Sequence, residues 1–197
     1  MSITLILASK SASRRAMLDA AGVVYDSIPA DIDERAVEAG LAGASPSEVA
    51  EALSVAKAAA VAAQYPGALV LGSDSLVVAG GRRFDKPRSV EEAADHLRFF
   101  SGRVMELHSA AALVKDGGCE WSHANVARLH VRDLSDDFIA HYLSLEWPAI
   151  SHTVGAFRIE GPGVQLFDAI EGDQFTVLGM PLLPLLGALR EAGVLIR

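Results

Sequence analysis

Three hydroxyls and three cations crowd into Ser9-Lys10-Ser11-Ala12-Ser13-Arg14-Arg15, where a short apolar run gives way to a helical pattern. A helix start of this kind offers unpaired backbone N–H groups and the positive end of the helix dipole, both favourable to phosphate. Serine hydroxyls add donors, and arginine adds bidentate recognition of phosphate oxygens. The segment therefore suits a polyphosphate, although it lacks the glycines of a P-loop or a dinucleotide fingerprint. An N-cap turn with solvated arginines fits the same residues. Asp74 is the second candidate, because it interrupts the apolar run Leu69–Val78. A carboxylate buried there must be paired, hydrogen-bonded or metal-bound. The alternative is a bend at Gly72-Ser73-Asp74-Ser75 that exposes it. Asp31-Ile32-Asp33-Glu34 groups three acids that could serve Mg²⁺, a hard ion suited to carboxylate and phosphate oxygens. A solvated acidic loop is the plainer alternative.

Two lysines complete the set. Lys57 lies four residues after Leu53 and eight after Val49, so a helix would put all three on one face. It either points inward or snorkels out along its apolar neighbours. Lys86, in Phe84-Asp85-Lys86-Pro87, falls in a loop, where a surface lysine is the default. The six histidines are scattered and form no HExxH pair or nucleophile triad. Cys119 beside a glycine turn lacks an evident activator. Trp121, Trp147, Met17 and Met180 read as packing residues.

The elements that would position these groups alternate along the chain. Ile3–Ala8 predicts a first buried strand, and residues 12–21 predict a helix that Gly22 can end. Ser45, Pro46 and Glu48 open a second helix through a capping box, running to about Gln64 before Tyr65-Pro66-Gly67. Ala68–Val78 predicts a strand interrupted at Gly72–Ser75, and Gly80-Gly81 a hairpin turn. Ser89-Val90-Glu91-Glu92 opens a helix ending near Phe100. Val104–Val114 and Trp121–Val131 read as strands joined around Asp116-Gly117-Gly118. Ser135 caps a helix closed by Pro148. Gly155–Ile170 reads as strand-like, broken at Gly161-Pro162-Gly163, and a last helix starts near Pro181. The mixture predicts an α/β class with a mixed central sheet, in one domain over residues 1–197.

Composition narrows the function. The chain has 197 residues, 51% of them hydrophobic and 21% charged, with a net charge of −8. That argues against nucleic-acid polymers and anionic membranes as partners. No apolar run reaches the ~18 residues of a membrane span. The N-terminal charges follow the apolar run, opposite to the order in a secretory signal. The single Cys119 excludes an internal disulfide and a multi-cysteine zinc site. A cytoplasmic enzyme acting on a small-molecule anion fits these facts.

Taken together, the motifs resemble the Maf (septum-formation protein) family of nucleoside triphosphate pyrophosphatases. LASKSASRRAML resembles its opening motif and DIDE its acidic motif. Lys57 resembles the helical lysine, LGSDSLVV the aspartate strand, DKP the Gly-Lys-Pro motif and FFSGR the Leu-Ser-Gly-Arg turn. VGAFRIEGPGVQLFDAIEGDQFTVLGMPL resembles the C-terminal signature. The resemblance implies an elongated mixed sheet flanked by helices, with two lobes and a cleft as in inosine-triphosphate pyrophosphatases. It implies hydrolysis of a nucleoside triphosphate to monophosphate and pyrophosphate with divalent Mg²⁺ or Mn²⁺, removing modified or surplus nucleotides. A homodimer is consistent with the family.

Carried over, Asp74 is the catalytic acidic residue and proton acceptor; of the other catalytic residues, Lys57 and Lys86 would hold phosphates and Glu34 would help with metal or water. The resemblance implies Asp74 and Glu34 as metal ligands, and the sequence alone leaves two roles for Asp74, orienting water or binding the metal. Ser9, Ser11, Arg14 and Arg15 bind substrate, and Ser13, Ser75 and Glu160 occupy the base-specificity positions. The branch acting on thymidine and uridine triphosphates typically has Arg, Thr and Gln there. The branch acting on 7-methylguanosine triphosphate has a bulky aromatic, Gln and Glu. Glu160 and the Arg14-Arg15 pair resemble the second branch, whereas Ser13 matches neither. Two other functions fit parts of the pattern. A nucleotidyltransferase would release pyrophosphate only with an acceptor present, and a nucleotide-binding regulator of cell division would bind without turnover.

Overall fold

Pro46 at the first helical position and the reciprocal Ser45–Glu48 capping box fix the start of the longest helix. In the computed structural model, which describes residues 4–196, this is α3 (Pro46–Ala62). The strands are β1 (Leu5–Leu7), β2 (Asp26–Ser27), β3 (Leu69–Ala79), β4 (Arg82–Phe84), β5 (Val104–Lys115), β6 (Gly118–Val131) and β7 (Phe167–Glu171). The other helices are α1 (Ala12–Ala20), α2 (Glu34–Ala39), α4 (Val90–Phe100), α5 (Asp136–Glu146), α6 (Gln174–Val177) and α7 (Leu182–Glu191).

The strands form a mixed sheet in the order β2-β1-β3-β5-β6-β7, with β4 paired to β3. β1 runs parallel to β2 and β3, while β3–β4 and β6–β7 are antiparallel. This is the mixed, helix-flanked sheet the sequence predicts. Among the described residues no helix is long and apolar enough to cross a membrane.

The chain divides into two compact units. The first holds the chain up to Ser75, Ser109–Asn125 and the chain from Gln174 onward. Its core lies on both faces of the sheet. Leu69 and Leu71 of β3 pack with Leu5, Leu7, Leu18, Met180 and Leu185. Val70 packs on the other side with Ile6, Ala58 and Val61. Strand alternation accounts for the split, since successive side chains point to opposite faces.

The second unit holds Leu76–His108 and Val126–Asp173. Gly80 and Gly81, with φ of 55° and 74°, make the hairpin turn between β3 and β4. Phe84 of β4 meets Phe100 at 4.6 Å and the His96 ring edge-on at 5.1 Å. Burial pulls His96 below its ordinary value of 6.5, and Arg82 adds to this, while Glu92, Asp95 and Asp85 oppose it. A histidine held neutral in the fold binds fewer protons than in the unfolded chain. Its contribution is therefore present above pH 6.5 and lost as pH falls below it. We expect urea unfolding at about pH 5.5 to show lower stability than at about pH 7.5. His96→Leu should flatten that difference, and an unchanged slope would contradict the assignment.

Three elements depart from the sequence expectation. β3 runs unbroken through Gly72–Ser75, because the polar residues there are satisfied on both faces of the sheet. Asp31–Glu34 is not a plain loop, since Asp33 caps α2 by accepting from Ala36 N, and Glu34 is its first residue. The stretch from Gly155 becomes 3-10 turns at Val154–Ala156 and Pro162–Leu166, with β7 starting only at Phe167. Positive φ at Gly155 and Ala156 breaks the extended conformation there. The second capping box is half made: Ser89 accepts from Glu92 N, but the Glu92 carboxylate accepts from Arg88 N. Ile3, placed in the first strand by the sequence, lies outside the described residues.

Candidate functional site

Gly72 sets the site's geometry. A Cβ there would lie 2.0 Å from Ser54 O and 2.8 Å from Ala58 N, so α3 rests directly on β3 at this point. Asp74 follows two residues later and faces the same helix. Lys57, one residue before the buried Ala58, places its Nζ 2.6 Å from Asp74 Oδ1. The same Nζ lies 2.7 Å from Glu34 Oε1. Asp74 and Lys57 are largely enclosed, with side chains 12% and 14% exposed, while Glu34 is 49% exposed. Of the two readings of each residue, Asp74 is paired rather than exposed by a bend, and Lys57 points inward rather than out.

The opposite face of β3 presents Ser73 and Ser75 to Arg14 of α1. Arg14 Nε donates to Gly179 O at 2.9 Å and Nη1 to Ser73 O at 2.8 Å. Nη2 donates to Ser75 Oγ at 3.1 Å, and Nη1 also reaches Ser9 Oγ at 3.5 Å. Burial pulls the guanidinium below its ordinary value, and the charges of Asp74 and Glu34 push the other way. Ser73 Oγ donates to Ala110 O at 2.7 Å. Ser75 and Ser109 hydroxyls meet at 3.0 Å, and Ser109 donates to Thr176 O at 2.8 Å.

The serine-rich start of α1 is a capped helix entrance. Ser11 is the N-cap and accepts from Arg14 N at 3.4 Å. Ser9 Oγ accepts from Ser11 N at 3.1 Å, and Ser9 is buried. Ser13 is half-buried on α1, while Lys10 and Arg15 are exposed.

The structure thus brings Ser9, Ser11, Arg14, Glu34, Lys57, Asp74 and Ser75 together in the first unit. Lys86 and Glu160 belong to the second unit, and both are exposed. Ser73, Ser109 and Gly179 escaped the sequence reading. Ser73 and Ser109 carried a signal, each being a hydroxyl inside an apolar strand that must find a partner. Gly179 carried less, since its role is a carbonyl that accepts from Arg14, Ser73 and Ser75.

Glu34 and Asp74 present two hard oxygens that converge on one Nζ. Carboxylate oxygen is the donor type that Mg²⁺ or Mn²⁺ takes, with water and phosphate oxygens in its remaining positions, and the two oxygens that converge here are held by the Lys57 ammonium. Among the described residues no group of three His, Cys, Asp or Glu side chains comes together to form an all-protein cage.

A cation-rich helix entrance and a paired acid on an apolar strand come together in this mixed α/β fold, and the chain belongs to the Maf family. The family model, described as Maf-like protein, matches residues 4–192. The chain is 50% identical over 197 residues to a 7-methyl-GTP pyrophosphatase from Rhizobium etli, covering 99% of each. It is 48% identical over 195 residues to a nucleoside triphosphate pyrophosphatase from Sphingopyxis alaskensis, covering 98% of each. Among solved structures, a HAM1 protein from Coxiella burnetii aligns with a TM-score of 0.45 and 19% identity, over 66% of this chain and 73% of that one.

Proposed function

We propose that this chain hydrolyses a nucleoside triphosphate to its monophosphate and pyrophosphate, removing modified or surplus nucleotides in the cytoplasm. The observation that carries this reading is the convergence of Asp74, Lys57 and Glu34 in a Maf-family chain. Relatives near 50% identity bear the names 7-methyl-GTP pyrophosphatase and nucleoside triphosphate pyrophosphatase.

Water must be oriented at the α-phosphorus, lose a proton, and meet a leaving group whose charge is neutralised. Asp74 Oδ1 is engaged by Lys57, while Oδ2 takes no part in that bond and accepts the water's proton. Lys57 orients the Asp74 carboxylate through this ion pair and adds positive charge for the phosphates. Ser9 and Ser11 accept from backbone N–H groups, which leaves their hydroxyl hydrogens to donate to phosphate oxygens. Arg14 and Arg15 add cationic charge at the same helix end. Glu34, joined by Asp74 where that carboxylate serves as ligand rather than base, would hold Mg²⁺ or Mn²⁺, whose charge would neutralise phosphate oxygens and acidify water. Lys86 is assigned to the phosphates and Ser13, Ser75 and Glu160 to the base on the family resemblance. Glu160, an exposed carboxylate, suits the positively charged ring of 7-methylguanine.

A panel of triphosphates incubated with Mg²⁺ or Mn²⁺ tests the reading. Monophosphate plus pyrophosphate, formed without an acceptor and fastest from 7-methyl-GTP, is the expected outcome. Diphosphate plus orthophosphate would contradict the cleavage site. Pyrophosphate only with an acceptor would make the protein a nucleotidyltransferase.

A further inference from the structure

Glu146 is the last residue of α5 and is almost wholly buried, 3% exposed. A carboxylate there is doubly disfavoured, by lost hydration and by the negative end of the helix dipole. Both its oxygens are taken by one guanidinium: Arg158 Nε reaches Oε2 at 2.8 Å and Nη2 reaches Oε1 at 3.0 Å. An apolar pair could fasten a loop to a helix as well as a buried ion pair does. The ionic pair instead fixes where the Arg158 charge sits.

The backbone around Arg158 is held from several sides. One turn earlier on α5, Tyr142 donates its hydroxyl hydrogen to Ala156 O at 3.1 Å. Phe157 and Ile159 are buried on either side of Arg158. Gly161 N closes a turn on Arg158 O at 3.2 Å, and a Cβ at Gly163 would lie 2.5 Å from that same oxygen. Glu160 sits in this turn and is exposed. Its charge also acts on the Arg158 guanidinium. Arg158 thus feels the charge of two carboxylates, and the bidentate bond commits it to the buried one.

We propose that Glu146 is a positioning residue for base recognition: by holding Arg158 with both oxygens, it keeps that cation from neutralising Glu160. This rests on the function proposed above and extends it to a residue that need not touch the substrate. Glu160 then stays available to favour a cationic base such as 7-methylguanine over neutral uracil. Without the Glu146 charge, Arg158 turns to Glu160 and silences it.

The test is the ratio of kcat/KM for 7-methyl-GTP to that for UTP, measured with Mg²⁺ by pyrophosphate release. Glu160→Gln should lower the ratio about 10-fold, the scale of one lost charge-assisted contact. Glu146→Gln should lower it in the same direction and by a similar factor. Arg158→Gln alone should keep or raise the ratio, and Glu146→Gln combined with Arg158→Gln should restore it. A merely structural pair would lower kcat/KM for both substrates alike, and losing either partner would act in the same direction. If Glu146→Gln does not fold, the Arg158→Gln protein decides, and loss of its preference overturns the proposal. Wild-type protein that releases no pyrophosphate would overturn the underlying function as well. An intact wild-type preference, lowered by Glu160→Gln but untouched by Glu146→Gln, would overturn this inference alone.

Discussion

Asp74→Asn should lower kcat by about 10³-fold, within the range for loss of a positioned general base. The substitution keeps the size of the side chain and removes its charge and basicity. Binding of a non-hydrolysable triphosphate analogue should weaken by no more than about 10-fold, because serine and arginine donors remain. The fold should survive, since Lys57 retains Glu34 at 2.7 Å after the Asp74 charge is gone. Steady-state kinetics with calorimetric binding separates the two effects. Unchanged turnover would remove Asp74 from the chemistry, and equal loss of binding and turnover would make it a binding residue.

Arg14→Met should have the largest effect on stability. Its guanidinium satisfies two carbonyls, Ser73 O and Gly179 O, and the Ser75 hydroxyl. Methionine fills much of the volume but leaves those acceptors without their charged donor. Hydrogen bonds to charged groups contribute about 1.5–3 kcal/mol each, and the freed acceptors recover part of that through neighbouring serines. A net loss of about 3–5 kcal/mol is expected, lowering Tm by about 10 °C or more. Thermal unfolding followed by circular dichroism measures it. A Tm within about 2 °C of wild type would show that the arginine contributes little to the fold. Arg15→Met, at an exposed position, should leave Tm nearly unchanged.

The two faces of β3 explain what the sequence did and did not disclose. Gly72 and Asp74 face α3, whereas Ser73 and Ser75 face Arg14. A run of three polar residues inside an apolar strand looks like a break, because neither set of partners is adjacent in the chain. Lys57 was readable from its spacing to Leu53, since helical geometry alone sets its face. Its partners were not, because the close approach of α3 depends on Gly72 lacking a side chain. Capping chemistry was readable wherever both halves are local, as at Ser45 and Glu48. At Ser89 the second half went to Arg88 instead. The Glu146–Arg158 pair left no signal, since a glutamate near a helix end normally reads as a solvated residue. Gly155 to Leu166 misled for a related reason: its apolar residues suggest a strand, but positive φ at Gly155 and Ala156 turns the chain.

Hydrolysis in water enriched in heavy oxygen tests the central claim most directly. If water, deprotonated by Asp74, attacks the α-phosphorus, the heavy atom must appear in the nucleoside monophosphate, and the pyrophosphate must stay unlabelled. Label in the pyrophosphate would place the attack at the β-phosphorus, and products of diphosphate and orthophosphate would place the cleavage elsewhere. Either result would contradict the chemistry assigned to the Asp74–Lys57–Glu34 cluster.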